Sequence, residues 1–272
     1  MKKLILLILL TQILTAQNKR FIYEYKFLPD SANKQNVIKE LMFLDVFNKK
    51  SLFYSSKTYA EDSTSIAEAK KGRFYIPNID ILYRIEKKDD KTFFLTRGYG
   101  LDRIRIEDER QFVWEIQSDK EKIGEYHVQK AETDFAGRKW IAWFTTDIPI
   151  QDGPYKFHGL PGLIIKIEDT GKNHSYELVG IKNIKGETAY PELNSKAKET
   201  VLNRQKFKEV FREYRRDPAS STKQLYIQGK IPDQTDSSGN FRTGAEIVRE
   251  VDQLAKERVK KDNNIIELDL LH

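Results

Sequence analysis

Asp147, Asp152 and His158 lie close together on one short stretch of this 272-residue chain. A carboxylate beside an imidazole is the least equipment that acid–base hydrolysis needs. A hydrolase with its site around Asp152 and His158 is therefore one expectation. The surroundings favour a plainer reading, in which the aspartates cap turns. There is no Gly-x-Ser-x-Gly elbow and no serine beside the stretch, so no nucleophile accompanies the pair. Cysteine is absent altogether, which excludes a thiolate nucleophile, a cysteine-based metal site and a disulfide framework. The histidines are His127, His158, His174 and His272, and none belongs to a His-x-x-x-His or His-Glu-x-x-His pair. On these grounds no catalytic residue, metal or cofactor is assigned.

The same stretch is also the most constrained backbone in the sequence. It reads Gly153-Pro154-Tyr155-Lys156-Phe157-His158-Gly159-Leu160-Pro161-Gly162-Leu163-Ile164-Ile165, with Pro149 just ahead of it. Proline fixes φ and glycine allows positive φ, so a specified path is expected, not a slack loop. Two roles suit it. Trp143, Phe144, Tyr155, Phe157 and His158 form a ligand-binding surface on a rigid lip, or the segment is a crossover whose aromatics pack the core. It is not a phosphate loop. That loop opens a helix with converging N–H groups, whereas Pro161 has none and an aliphatic strand follows. Arg138 and Lys139, beside Trp140, read as a hairpin turn with a solvated flank; an anionic or aromatic ligand held by charge and cation–π contact is the alternative. Glu24 and Glu40 are candidates for a carboxylate pair on neighbouring strands, with no further signal.

What must position these residues is a series of strands. Phe21, Tyr23, Tyr25 and Phe27 alternate with Ile22, Glu24 and Lys26, the period of a half-buried strand. Leu41 to Phe47, Leu52 to Ser55, Ile81 to Ile85, Thr92 to Leu95, Leu101 to Ile106 and Phe112 to Ile116 continue the series. Gly124 to Lys130, Lys139 to Phe144, Leu163 to Glu168 and Tyr176 to Ile184 complete it. Thr58 to Lys71 reads as a helix or an excursion. Short spacing without intervening helices predicts an antiparallel meander. Past Pro191 the period changes. Val201, Phe207, Val210, Phe211 and Tyr214 share one helical face, and Ile247, Val251, Leu254 and Val259 another, with a polar loop from Ser220 to Gly244 between. The expected fold is mainly β (α+β): a single curved antiparallel sheet or half-barrel meander with C-terminal helices.

At the N-terminus, Met1-Lys2-Lys3 precedes Leu4 to Leu10 and a small-residue exit at Ala16, the pattern of a secretory signal peptide. Residues 1–16 are therefore set apart, and 17–272 are read as one domain. No later run is long and apolar enough for a membrane helix. Formal charge is +6, and Lys2 and Lys3 carry two of it. Charges of both signs are mixed and no compact basic motif with stacking aromatics appears, so nucleic acid is not an expected partner.

Gly159-Leu160-Pro161-Gly162-Leu163-Ile164 carries a resemblance to the GLPGLI family of exported bacterial proteins. Lys122-Ile123-Gly124-Glu125-Tyr126, Gly137-Arg138, Ala142-Trp143-Phe144 and Ile148-Pro149-Ile150 lead into it in that family's order. Asn263-Asn264-Ile265-Ile266-Glu267-Leu268 resembles its Asn-Pro-Ile-Glu-Leu ending, with Ile265 where proline is usual. The resemblance is strong over about 114–184 and agrees in layout over the helical part, about 195–262. It implies export to a Bacteroidetes-type periplasm or envelope and brings no activity. The expected function is thus a non-enzymatic binding or assembly factor with an aromatic-rich sheet surface. Its partner would be an apolar ligand, a peptide or an envelope protein. The 13 Tyr, 15 Phe and three Trp motivate that reading. An envelope hydrolase near Asp152 and His158, or an interaction module for an outer-membrane partner, are the alternatives.

Overall fold

The computed structural model describes residues 18–272 apart from positions 74, 76, 194–197 and 236–238. The expected signal segment, 1–16, lies outside the described residues. In chain order the elements are β1 (Lys19–Phe27), β2 (Ile38–Val46), β3 (Lys50–Ser55), α1 (Ser56–Lys70), β4 (Tyr83–Lys88), β5 (Lys91–Gly98), β6 (Leu101–Asp108) and β7 (Glu115–Ile123). Then come β8 (Tyr126–Phe135), β9 (Arg138–Thr145), β10 (Leu163–Asp169), β11 (His174–Asn183) and β12 (Thr200–Leu202). The C-terminal part holds α2 (Arg204–Arg216), α3 (Ser220–Ile227), the small hairpin β13 (Gln234–Thr235) and β14 (Phe241–Arg242), and α4 (Gly244–Lys261).

Twelve strands form one open sheet in the order β12-β6-β5-β4-β3-β2-β1-β11-β10-β9-β8-β7. All neighbouring pairs are antiparallel except β12 against β6, which run parallel. The all-antiparallel expectation is corrected at that edge. A short strand entered from a long crossover leaves no period-2 signature of its own, and Val201, assigned to a helix by its spacing, lies on β12 and is exposed.

The sheet is curled, and side-chain reach demonstrates it. Laid flat, β4 and β11 would be four strand spacings apart, about 19 Å. Yet the hydroxyls of Tyr83 and Tyr176 are 3.3 Å apart. Phe21, Tyr23 and Tyr25 of β1 face the concave side with Met42, Leu44, Phe53 and Ile85, all buried. Glu24 and Glu40 stand on adjacent strands but on opposite faces: Glu40 pairs with Tyr25 inside, while Glu24 faces outward beside Lys26.

The helices occupy different places. α1, capped by the Ser55 hydroxyl, packs on the outer side of β2 and β3. α2, capped by Asn203, turns Phe207 and Phe211 onto Ile104 and Ile106 of the inner face. Each such aromatic removed from water contributes roughly 1.5–3 kcal/mol. The stretch expected as a loop from Ser220 holds α3 and the β13–β14 hairpin. α4 starts with a Thr243–Glu246 capping box. Its expected apolar stripe is not buried: Val248 turns inward, whereas Val251 and Leu254 are exposed, because α4 packs on α3 and not along the sheet. Phe112 and Trp114 precede β7 instead of lying in it and pack on Phe157.

Candidate functional site

Two regions collect the residues of interest. In the first, the constrained stretch closes on itself. The Lys87 ammonium is buried and donates to the Asp152 carboxylate, the Gly153 carbonyl (2.9 Å) and the Phe157 carbonyl (3.1 Å). Burial pushes its pKa down against the pull of Asp152. The Gly153 N–H donates to Asp152 Oδ1 at 2.7 Å, so this carboxylate is spent on the turn. Tyr23 donates to the Ile164 carbonyl (2.7 Å) and Trp114 to the His158 carbonyl (2.9 Å). Where β10 begins against β9, a Cβ on Gly162 would lie 1.9 Å from the Thr145 carbonyl oxygen, so only glycine fits.

The acid–base pair does not assemble. Asp152 and His158 share an isolated backbone bridge, but their side chains form no hydrogen bond with each other. His158 Nδ1 lies 2.8 Å from the Lys156 carbonyl and so carries the proton. Burial and the Lys87 charge hold its pKa below the ordinary value. Asp147 is exposed. Of the five expected binding residues, Phe144, Tyr155 and Phe157 are core residues, Trp143 is half-buried on the outer side of β9, and His158 borders an open groove near the β2–β3 and β4–β5 hairpins. Only Tyr155 reaches the second region.

That second region is a cavity of about 580 Å³ between the concave sheet and its roof. Its floor is Tyr25, Phe27, Tyr83 and Phe94; α2 roofs it with Phe207, Phe211 and Tyr214, and the C-terminal segment closes one side. Tyr25 stacks on Tyr176 at 4.1 Å and on Phe27 at 4.7 Å, so flat rings tile the floor. Their hydroxyls are engaged elsewhere. His174 Nε2 faces the Asn264 carbonyl at 2.8 Å and must donate to it, which leaves Nδ1 to accept from Tyr25 at 2.7 Å. Burial drives this imidazole well below its usual pKa. Tyr83 bonds Tyr176, and Tyr155 donates to Glu267 Oε1 at 2.6 Å. Burial keeps the Tyr25 and Tyr155 phenols far above their ordinary pKa, hence neutral.

The closing side is ionic. Glu267 is buried and receives Lys156, Arg110 (2.9 Å) and Arg204 (2.6 Å). Burial alone would raise its pKa, but the three cations win and hold it at about 2. Asp108 takes Lys156 at 2.7 Å and Arg110 at 2.8 Å and is likewise held low. Arg138, expected on a solvated flank, is buried. It donates to Asp169 (3.0 Å), to the Ile265 carbonyl (2.7 Å) and to Asn264 Oδ1 (2.7 Å), gripping the C-terminal segment. Asp169 lies 31 positions away and the C-terminal partners more than a hundred, so its neighbours in sequence carried no sign of them. Among the described residues no group of three or more acidic or histidine side chains is placed to hold a metal ion.

Residues 134–166 match the model of a Bacteroidetes-associated family described as "Protein of unknown function (Porph_ging)". No curated protein matches the chain. Two crystal structures of PNGF-II, in space groups C2 and P21, superpose with a TM-score of 0.51 at 17% identity. The match covers 72% of this chain and 32% and 33% of theirs, so the chain spans about a third of the length of these structures. The likeness is one of fold.

Proposed function

We propose that this protein is an exported, non-enzymatic binding factor that holds an apolar ligand in the cavity under α2, and that it belongs with the GLPGLI proteins of the bacterial envelope. One observation carries the reading: the concave face is not plugged by its own side chains. At roughly 30 Å³ per water-sized group, its 580 Å³ accommodates about twenty non-hydrogen atoms. Asn33, Asn36, Arg258 and Lys261 line it elsewhere, but the floor hydroxyls are committed to His174, Tyr176 and Glu267, so the floor presents ring faces. A sugar or peptide would leave its own polar groups unpaired there, at a cost of about 1–3 kcal/mol each, whereas an apolar body loses nothing. Native mass spectrometry of protein purified from its own envelope tests this. A retained small apolar molecule, depleted in a Val259→Trp variant that narrows the cavity, is the expected result; bare protein in both samples defeats the reading.

A second reading, a docking module for an outer-membrane protein, is favoured by the exposed Leu225, Tyr226 and Ile227 of α3 and Val251 and Leu254 of α4. Crosslinking in intact cells through these positions tests it, and labelling no heavier than that at an exposed polar site such as Lys206 would dismiss it.

A further inference from the structure

The cavity has a polarised mouth. Arg258 and Lys261 line it from the last turn of α4. Neither forms a salt bridge among the described residues, although Lys261 acts on Asp30 and Arg258 on Asp262 through space. The other two lining cations, Lys156 and Arg204, are consumed by Asp108, Glu267 and Asp269.

The usual sinks for cations at a helix C-terminus are also taken. Arg215 donates to the Val259 carbonyl at 3.0 Å and the Asp262 carbonyl at 2.8 Å, so the end of α4 has its counter-charge without Arg258 or Lys261. The lining acids are each engaged. Lys57 holds Asp80 at 2.9 Å, Arg215 stands 3.7 Å from Asp262, and Asp30 accepts from the Ala32 N–H and the Asn263 amide. The mouth therefore keeps two cations that form no salt bridge of their own, Lys261 in the field of Asp30 and Arg258 in that of Asp262, beside an apolar interior.

Resting on the cavity reading, we propose that the ligand is a single-chain amphiphile with an anionic head: its apolar body lies on the aromatic floor and its head meets Arg258 and Lys261. Charge-assisted contacts to a carboxylate or phosphate are about twice as strong as neutral ones, and such a head stays partly in water at the mouth. The chain needs no hydrogen-bond partner, which the floor does not offer.

Calorimetric titration of delipidated protein with dodecanoate, dodecanol and dodecyltrimethylammonium, each below its micellar range, separates the terms. Dodecanol reports the cavity alone. Dodecanoate is expected to bind about tenfold more tightly than dodecanol, and the ammonium most weakly. In an Arg258→Glu/Lys261→Glu variant the order of the two charged probes inverts while dodecanol changes by less than about twofold. Both side chains are exposed, and an unchanged melting temperature certifies the fold. Equal affinity for all three heads, or tightest binding of the ammonium, overturns the head assignment and leaves the cavity reading standing. Failure of dodecanol and both charged probes to bind overturns the two together.

Discussion

The stretch from Asp152 to Ile164 and the cavity under α2 are built on opposite plans. In the first, an ammonium, a carboxylate, several carbonyls and a tryptophan N–H are all satisfied within a few ångströms, and one glycine permits a backbone contact nothing else allows. In the second, aromatic rings face empty space and their hydroxyls turn away into the protein. A region whose polar groups are all paired specifies a chain path; a region that leaves apolar surface unpacked has room for something else. Density of unusual residues therefore marks rigidity here, and sparse motif marks the open space.

The comparison can be broken by substitution. The largest effect is expected at the ionic side of the cavity, where Glu267→Ala removes the carboxylate shared by Lys156, Arg110 and Arg204 and leaves three cations to Asp108 and Asp269. Removing one partner of a buried ion network costs about 3–5 kcal/mol. Urea unfolding that shifts by less than 1 kcal/mol would show the network to be solvated. Next, the two glycines of the turn should differ sharply. Gly162→Ala drives a Cβ into the Thr145 carbonyl and should cost about 3 kcal/mol, whereas Gly159, with nothing within 4 Å and φ of +90°, should lose only about 1 kcal/mol as alanine. Equal costs would dissolve the claim that the turn is set by a close approach.

A pH series sharpens the floor. The native fold holds His174 neutral, with its pKa lowered to about 3 by burial, while in the unfolded chain it takes up a proton near 6.5. The unfolded state then binds more protons between these values, so stability is complete above about pH 6.5 and declines as pH falls towards 3, by about 1.4 kcal/mol per unit. His174→Gln should flatten the upper part of that limb, above the carboxylate range; an unaltered slope would deny the imidazole its buried, neutral state. The smallest stability effect belongs to the cavity wall. Val259→Trp should change unfolding by about 0.5 kcal/mol or less while weakening dodecanol binding. A large loss of stability with binding intact would mean that the space is not open as described.

Much of the β architecture was legible in sequence. Tyr23 and Tyr25 alternate with polar residues because one face of β1 is buried, and Phe207 and Phe211 share a helical face because α2 lies on the sheet. Such periods are local consequences of burial. Less was legible wherever burial did not follow period. Val251 and Leu254 repeat at helical spacing yet face solvent, and the three residues of β12 were too few to show a strand period. The candidate site was hardly legible. Tyr155 alone of the expected binding residues lines the cavity, and Arg138 and Glu267 became meaningful only through partners far along the chain.

By itself, the sequence determined the succession of strands, the helical change after Pro191, the exclusion of thiol and disulfide chemistry, and the fixed path through Pro154, Gly159, Pro161 and Gly162. These follow from backbone stereochemistry and residue type, which act over a few positions. Only the tertiary structure decided how far the sheet curls, that the Asp152 and His158 side chains stay apart, and that Glu267 seals one side of an aromatic cavity. Those outcomes depend on how far the sheet bends and on which distant side chains meet across it, and neighbouring residues carry no record of either.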